Sequence, residues 1–248
     1  MELTALRAVV TGGASGLGAA TARHLAESGA KVTIFDRDRT QGETMAGEIG
    51  ATFAEVDVTS EESVADGIAV AVAAMGGIDA LVNCAGIATG ERVVGRDGPH
   101  RLESFRRTID INLVGSFNVL RLAAAEMAKN EGPERGVIIN TASIAAFDGQ
   151  KGQAAYAASK GGIAGMTLPL ARDLAAQGVR VCAIAPGIFG TPMMKGLPQD
   201  VQDSLAAEVT FPKRLGEPTE YAELAGFIIR SGYLNGEVIR LDGALRMR

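Results

Sequence analysis

The sequence predicts an α/β protein: one doubly wound parallel sheet of about seven strands, with helices on both faces. Three observations carry this. Short apolar runs alternate with helix-like stretches almost to the end of the chain. The first run leads into the turn Gly12-Gly13-Ala14-Ser15-Gly16-Leu17-Gly18, which opens an apolar-periodic helix. An acidic residue, Asp36, closes the second run about 20 positions further on, the spacing such sheets use beside a glycine turn. With 248 residues, 47% of them hydrophobic, the chain can fill one core of this kind. No linker, repeat or low-complexity tract divides it, so 1–248 is read as a single domain.

Taken in order, the apolar runs predict strands over 6–11, 30–36, 51–56, 78–83, 136–141, 179–185 and 236–241. Between them, helical periodicity covers 16–28, 40–49, 60–74, 103–129, 153–176 and 219–230. Right-handed crossovers then make the sheet parallel. Pro169 removes a backbone donor inside the 153–176 helix and is expected to bend it. Two segments break the rhythm, and both follow strand ends, the edge where open α/β sheets bind ligands: 89–102, rich in Arg and Gly, and 187–216, rich in Gly and Pro. The second is too long for an ordinary connection and reads as a lid.

The glycine turn reads as a Rossmann-type dinucleotide entry, with the spacing G-x-x-x-G-x-G in place of the commoner G-x-G-x-x-G; its plain alternative is a structural turn. Glycines let backbone N–H groups approach a pyrophosphate, and the helix aims its positive end at it. The Asp36 carboxylate is placed to accept ribose hydroxyls and to repel a 2′-phosphate, which favours NAD over NADP. Its plain alternative is a helix N-cap or turn residue. Tyr156 and Lys160, four apart on a predicted helix, stack on one face. An ammonium beside a phenol favours the phenolate, so the pair is a tunable acid for a substrate alcohol or carbonyl.

A net charge of −5 argues against general nucleic-acid binding, and no run is apolar enough to span a membrane or to act as a leader. A soluble, cytoplasmic protein is expected. The 2 cysteines, Cys84 and Cys182, sit at or near the ends of different predicted strands and are read as buried free thiols; no metal ligand set is present. Val114, Phe117, Val119, Leu120, Ala164, Met166 and Leu170, on the 103–129 and 153–176 helices, exceed what one sheet face covers and point to a partner subunit. Arg92, Arg96, Arg101, Arg106 and Arg107 outnumber Asp97 and Glu103 in one stretch, and Lys195, Lys213 and Arg214 lie in the lid segment. Either these cations attract substrate phosphates or they form solvated loops.

Thr11-Gly12-x3-Gly16-x-Gly18, Asp57-Val58, Asn83-Cys84-Ala85-Gly86, Asn112, Ser143, Tyr156-x3-Lys160 and Pro186-Gly187, in this order, resemble the short-chain dehydrogenase/reductase superfamily across essentially the whole chain. The runs 149–156, 184–192 and 234–243, together with Cys84 where most members carry Asn, resemble more narrowly its type II 3-hydroxyacyl-CoA dehydrogenases, a group also classed among 17β-hydroxysteroid dehydrogenases. The resemblance implies an NAD-dependent hydride transfer between a secondary alcohol and a ketone, with a 3-hydroxyacyl-CoA as substrate and a homotetramer as assembly. The alternatives are a 3-oxoacyl-ACP reductase, a hydroxysteroid dehydrogenase, and, in another class, a non-catalytic subunit of a larger assembly.

The resemblance also implies roles. Tyr156 is the acid/base. Lys160 holds the nicotinamide ribose and lowers the Tyr156 pKa. Ser143 donates to the substrate oxygen, though read without the resemblance it is equally a strand-end or turn serine, and Gln153 lies beside the substrate. Asn112, polar among apolar neighbours, fits a water-linked proton relay toward Lys160; read without the resemblance it is a satisfied buried amide. For the cofactor, Gly12, Ser15, Gly16, Leu17 and Gly18 form the phosphate turn. Asp57 and Val58 meet adenine, and Cys84, Ala85 and Gly86 meet the adenosine ribose through their backbone. Pro186, Gly187, Phe189 and Thr191 lie at the nicotinamide end. Asp57 has a second reading as the cap of the helix after Ser60.

Overall fold

The computed structural model describes every residue except Asp97, Leu197 and Arg248, and the side chains of Met193, Lys195 and Val201 are likewise left undescribed. The Asp97 and Lys195 charges invoked above therefore lie outside the described residues. The chain runs β1 (Arg7–Thr11), α1 (Gly16–Glu27), β2 (Lys31–Asp36), α2 (Arg39–Ile49), β3 (Thr52–Glu55), α3 (Glu61–Met75) and β4 (Ala80–Asn83). A small hairpin follows, β5 (Val94–Gly95) with β6 (Gly98–Pro99), then α4 (Leu102–Ile109), a π-helical turn Asp110–Val114, and α5 (Gly115–Met127). The second half adds β7 (Gly136–Thr141), α6 (Ala145–Asp148), α7 (Ala154–Asp173), β8 (Val179–Pro186), α8 (Pro192–Lys195), α9 (Gln199–Glu208), α10 (Pro218–Arg230) and β9 (Val238–Leu241).

The main sheet has the order β3-β2-β1-β4-β7-β8-β9, with every pairing parallel. From β1 the chain builds outward to β3, then returns to place β4 on the other side of β1. Their carboxyl ends flank the switch point, where a crevice opens. Strand alternation divides the core. Val10, Ile34, Ile139 and Tyr221 pack on the face covered by α1 and α10, whereas Val9, Leu81, Ile138 and Val119 pack on the face covered by α3 and α5. Buried on both faces, the central strands read as continuous apolar runs.

Several expectations are revised. The predicted 103–129 helix divides into α4, the π turn and α5. Pro169 lies inside α7, which runs on past it to Asp173. Cys182 lies within β8 rather than at its end, and Cys84 follows β4; β7 separates the two strands, and both thiols are free. Val119 and Leu120 belong to the core, leaving Val114 and Phe117 as the exposed large apolar residues of α5 and the turn before it. Among the described residues no helix is long and apolar enough to cross a membrane, and no cluster of His, Cys, Asp and Glu is placed to hold a metal ion.

Candidate active site

A cleft of about 940 Å³ opens at the switch point, floored by the glycine turn and walled by Asp36, Asp57 and Gly86. Gly12 has φ 63°, and a Cβ there would stand 2.8 Å from the Ala85 nitrogen, so only glycine permits this approach of turn to strand end. Ser15 precedes α1 in extended conformation, and its side chain does not cap the helix. The first-turn N–H groups of α1 thus lack a side-chain acceptor where they meet the cleft, the arrangement that binds a phosphate. This cradle, with the acidic residue beyond it, fits a dinucleotide.

Asp36 faces the cleft with each carboxylate oxygen already accepting one backbone N–H, from Ala14 (3.1 Å) and from Asp38 (3.0 Å). The cap of α2 is Asp38, which accepts from Gln41 N, so the capping alternative for Asp36 is replaced by a brace on the glycine turn. Asp57 likewise does not cap α3. Ser60 does, while Asp57 accepts both the N–H and hydroxyl of Thr59, contacts that hold its carboxyl below the usual range. Val58 is buried against Gly115 with an edge on the cleft. The N–H groups of Cys84 and Ala85 are both given to the Thr11 hydroxyl (3.1 Å each), so a ligand at this strand end meets the carbonyls and Gly86 instead.

At the nicotinamide end the expectations separate. Thr191 reaches the cleft, but the Phe189 ring is buried against Gly216 and lines a second, smaller cavity of about 240 Å³. Gly187 sits tight against Asp242, joining β8 to β9, and Pro186 is the last residue of β8. These three do not line the cleft.

Beside the cleft, β7 and α7 bring Ser143, Tyr156 and Lys160 together. Ser143 Oγ accepts from Ala145 N at 3.1 Å, which leaves its own hydrogen for another acceptor. Burial pushes the Tyr156 hydroxyl up, and the Ser143 hydroxyl pulls it the other way. Lys160 stands near the ring. Its ammonium lies 5.9 Å from the Tyr156 ring centre, donates to the Thr141 carbonyl at 2.7 Å, and is itself lowered by burial to about 8. Asn112, at the centre of the π turn, accepts from Ile87 N (2.8 Å) and donates to Ile87 O (2.9 Å) and Ser159 Oγ (3.1 Å). It is the satisfied buried amide, yet it converges with Lys160 on Gly86, where an added Cβ would stand 3.1 Å from Asn112 Oδ1 and 3.7 Å from Lys160 Nζ. Gln153 accepts from Gln150 N at 2.9 Å, which shapes the loop before α7.

The basic stretch is only partly available. Arg101 is engaged with Glu91, whose carboxyl is held down at about 2 by that contact, and Glu91 N bonds Gly152 O, tying the hairpin to the loop before Tyr156. Arg92 and Arg96 are exposed, while Arg106 and Arg107 line the dinucleotide cleft. In the lid segment Lys213 caps carbonyls of α9 and its end, and Arg214 grips Glu220 with two donors. Sequence reasoning missed the placement of Arg106 and Arg107, because a continuous helix over 103–129 gave no reason to turn them toward the crevice.

Residues 7–202 match the short chain dehydrogenase family. The chain is 55% identical to the 3-hydroxyacyl-CoA dehydrogenase type-2 of Bos taurus over 98% of this chain and 96% of that protein. It is 34% identical to a 3-oxoacyl-[acyl-carrier-protein] reductase of Thermotoga maritima, over 99% of each. The crystal structure of a 3-hydroxyacyl-CoA dehydrogenase type-2 from Mycobacterium avium superposes with TM-score 0.95 at 44% identity, covering 98% of this chain and 97% of that one.

Proposed function

The chain belongs to the short-chain dehydrogenase family and is an oxidoreductase, and we propose that it interconverts 3-hydroxyacyl-CoA and 3-oxoacyl-CoA with NAD. The observation that carries the reading is Ser143, Tyr156 and Lys160 gathered together, with Lys160 converging on Gly86 of a dinucleotide cleft whose acidic wall includes Asp36. The acyl-CoA substrate is favoured by 55% identity to a 3-hydroxyacyl-CoA dehydrogenase against 34% to an acyl-carrier-protein reductase. The Asp36 carboxylate supports NAD, since a 2′-phosphate beside it meets like charge.

A nicotinamide cofactor held by the glycine turn, Asp36 and Lys160 would supply the hydride acceptor or donor for the carbinol carbon. The chain's side chains handle the oxygen and its proton. Ser143 donates to the substrate oxygen as negative charge grows there. Tyr156 takes the hydroxyl proton in oxidation and supplies one in reduction. Because burial holds Tyr156 as the phenol at neutral pH, it stands ready as the acid, and its service as base strengthens as pH rises. Lys160, fixed by the Thr141 carbonyl, retains further N–H donors for the ribose. The protein is proposed to work as a homotetramer in the cytoplasm. Purified protein given NAD and 3-hydroxybutyryl-CoA should form acetoacetyl-CoA and NADH in equal amounts; no turnover of this pair would remove the reading.

A further inference from the structure

Thr141 ends β7 with two of its groups committed in opposite directions. Its carbonyl accepts from Lys160 Nζ at 2.7 Å on the active-site side. Its hydroxyl donates to the Asn83 carbonyl at 2.6 Å, and it lies 2.7 Å from the hydroxyl of Tyr221. A carbonyl only accepts, so the single Thr141 hydroxyl hydrogen is used on Asn83, and Tyr221 must be the donor in the second contact. Tyr221 comes from α10, packed on the other side of the sheet, and it is fully buried. Cys84 Sγ stands 3.7 Å from Thr141 Oγ1 and 3.8 Å from the Tyr221 hydroxyl, but sulfur is a weak acceptor, which leaves that hydrogen to Thr141.

A tyrosine placed wholly in an apolar core needs a partner for its hydroxyl, and phenylalanine would fill the same space without that need. The hydroxyl here ends on the one residue whose carbonyl seats the active-site ammonium. We infer that Tyr221 is a positioning residue: through Thr141 it fixes the end of β7 against β4 and so sets where Lys160 is held. The inference rests on the reading of Lys160 as part of the reaction centre. The titratable groups facing Lys160 are Tyr156 on its own helix and Cys84 after β4, with Tyr221 behind them on α10. Neither Cys84 nor Tyr221 ionises near neutral pH, because burial raises both. The geometric link through Thr141 therefore acts by hydrogen bonding.

The test compares Tyr221→Phe, Thr141→Val and Thr141→Ser with the natural protein, using three readouts. These are NAD affinity by calorimetry, the Lys160 amine titration by NMR of lysine-labelled protein without cofactor, and the pH profile of kcat. Tyr221→Phe and Thr141→Val should each weaken NAD binding and lower kcat by about five- to twentyfold, with KM for the acyl substrate nearly unchanged. A less well seated ammonium loses stabilisation of its charged form, so the Lys160 midpoint should move down and carry the kcat profile with it. Thr141→Ser keeps the hydroxyl and should stay within about twofold of the natural protein.

If Tyr221→Phe lowers only the melting temperature and leaves NAD affinity, the Lys160 midpoint and the profile in place, the hydroxyl is structural and the inference is overturned. Equal damage from Thr141→Ser and Thr141→Val overturns it as well. Should Tyr221→Phe fail to fold, the Thr141 pair carries the test from the acceptor side. If the natural protein ignores 3-hydroxyacyl-CoA while NAD affinity and the Lys160 titration respond as stated, the positioning role stands and only the substrate reading falls.

Discussion

The Lys160 ammonium stands 5.9 Å from the centre of the Tyr156 ring yet gives its hydrogen bond to the Thr141 carbonyl at 2.7 Å. Burial raises the Tyr156 pKa in the protein without cofactor, against the smaller opposing pull of the Ser143 hydroxyl. Ultraviolet difference titration should therefore place Tyr156 above the ordinary tyrosine value when no cofactor is bound. Alcohol oxidation should accelerate as pH rises from neutrality, and ketone reduction should slow. Tyr156→Phe should lower turnover by about 10²- to 10⁴-fold while NAD still binds. A variant keeping more than about a tenth of the activity would exclude Tyr156 as the acid/base.

Asp36 is proposed to set the choice of cofactor. Its carboxylate faces the cleft while bracing Ala14 and Asp38, so one side chain both shapes the glycine turn and presents negative charge. NAD should be preferred over NADP by at least about tenfold in kcat/KM, the ratio that about 1.4 kcal/mol represents. Asp36→Ala should narrow that gap, mainly by improving NADP, with some loss of turn stability from the two freed N–H groups. Equal kinetics with both cofactors in the natural protein would contradict this.

The fold was legible because its signals are periodic and local. Seven apolar runs became the seven strands of one sheet, with Gly136–Thr141 matching to the residue, since burial on both faces makes such strands uninterrupted. Ser143 and Lys160 both stand beside Tyr156, a grouping that the family resemblance implies and that no spacing rule gives. What depends on three-dimensional partners was not legible. The Phe189 ring turns into the second cavity because Gly216 leaves room for it, and Arg101 is taken up by Glu91, which lies just outside the stretch of arginines that drew attention. The Tyr221 to Thr141 contact joins residues 80 positions apart across the sheet, and no spacing rule reports it.

Recognition of the CoA phosphates by the basic stretch should fall mainly to Arg92 and Arg96, because Arg101 is paired and Arg106 and Arg107 line the other cleft. Acetoacetyl-CoA should exceed its N-acetylcysteamine thioester by several-fold in kcat/KM. The ratio should shrink in high salt and in Arg92→Gln/Arg96→Gln protein. Arg101→Gln should instead act through the hairpin, loosening the Glu91 link to Gly152. Identical kinetics for full and truncated thioesters would remove phosphate recognition from the hairpin.

Exposed Val114 and Phe117, on α5 and the turn before it, and Leu168 on α7 are nearly half accessible in the single chain, at 49%, 45% and 45%. Apolar residues placed this way on adjacent helices are expected to be covered by another copy. Light scattering at micromolar concentration should give four times the 25.6 kDa chain mass. Phe117→Glu should shift the population toward smaller species, and a natural protein that runs as a monomer would contradict the assembly.

The central claim is an NAD-linked 3-hydroxyacyl-CoA dehydrogenase. The most direct measurement is kcat/KM for one preparation with NAD and 3-hydroxybutyryl-CoA set beside NADPH and a 3-oxoacyl-ACP. The CoA and NAD pair should be favoured by at least about a hundredfold, the combined effect of the Asp36 carboxylate and the thioester carrier. A preference for NADPH with the acyl-carrier substrate, or no turnover of the CoA ester at all, would contradict it.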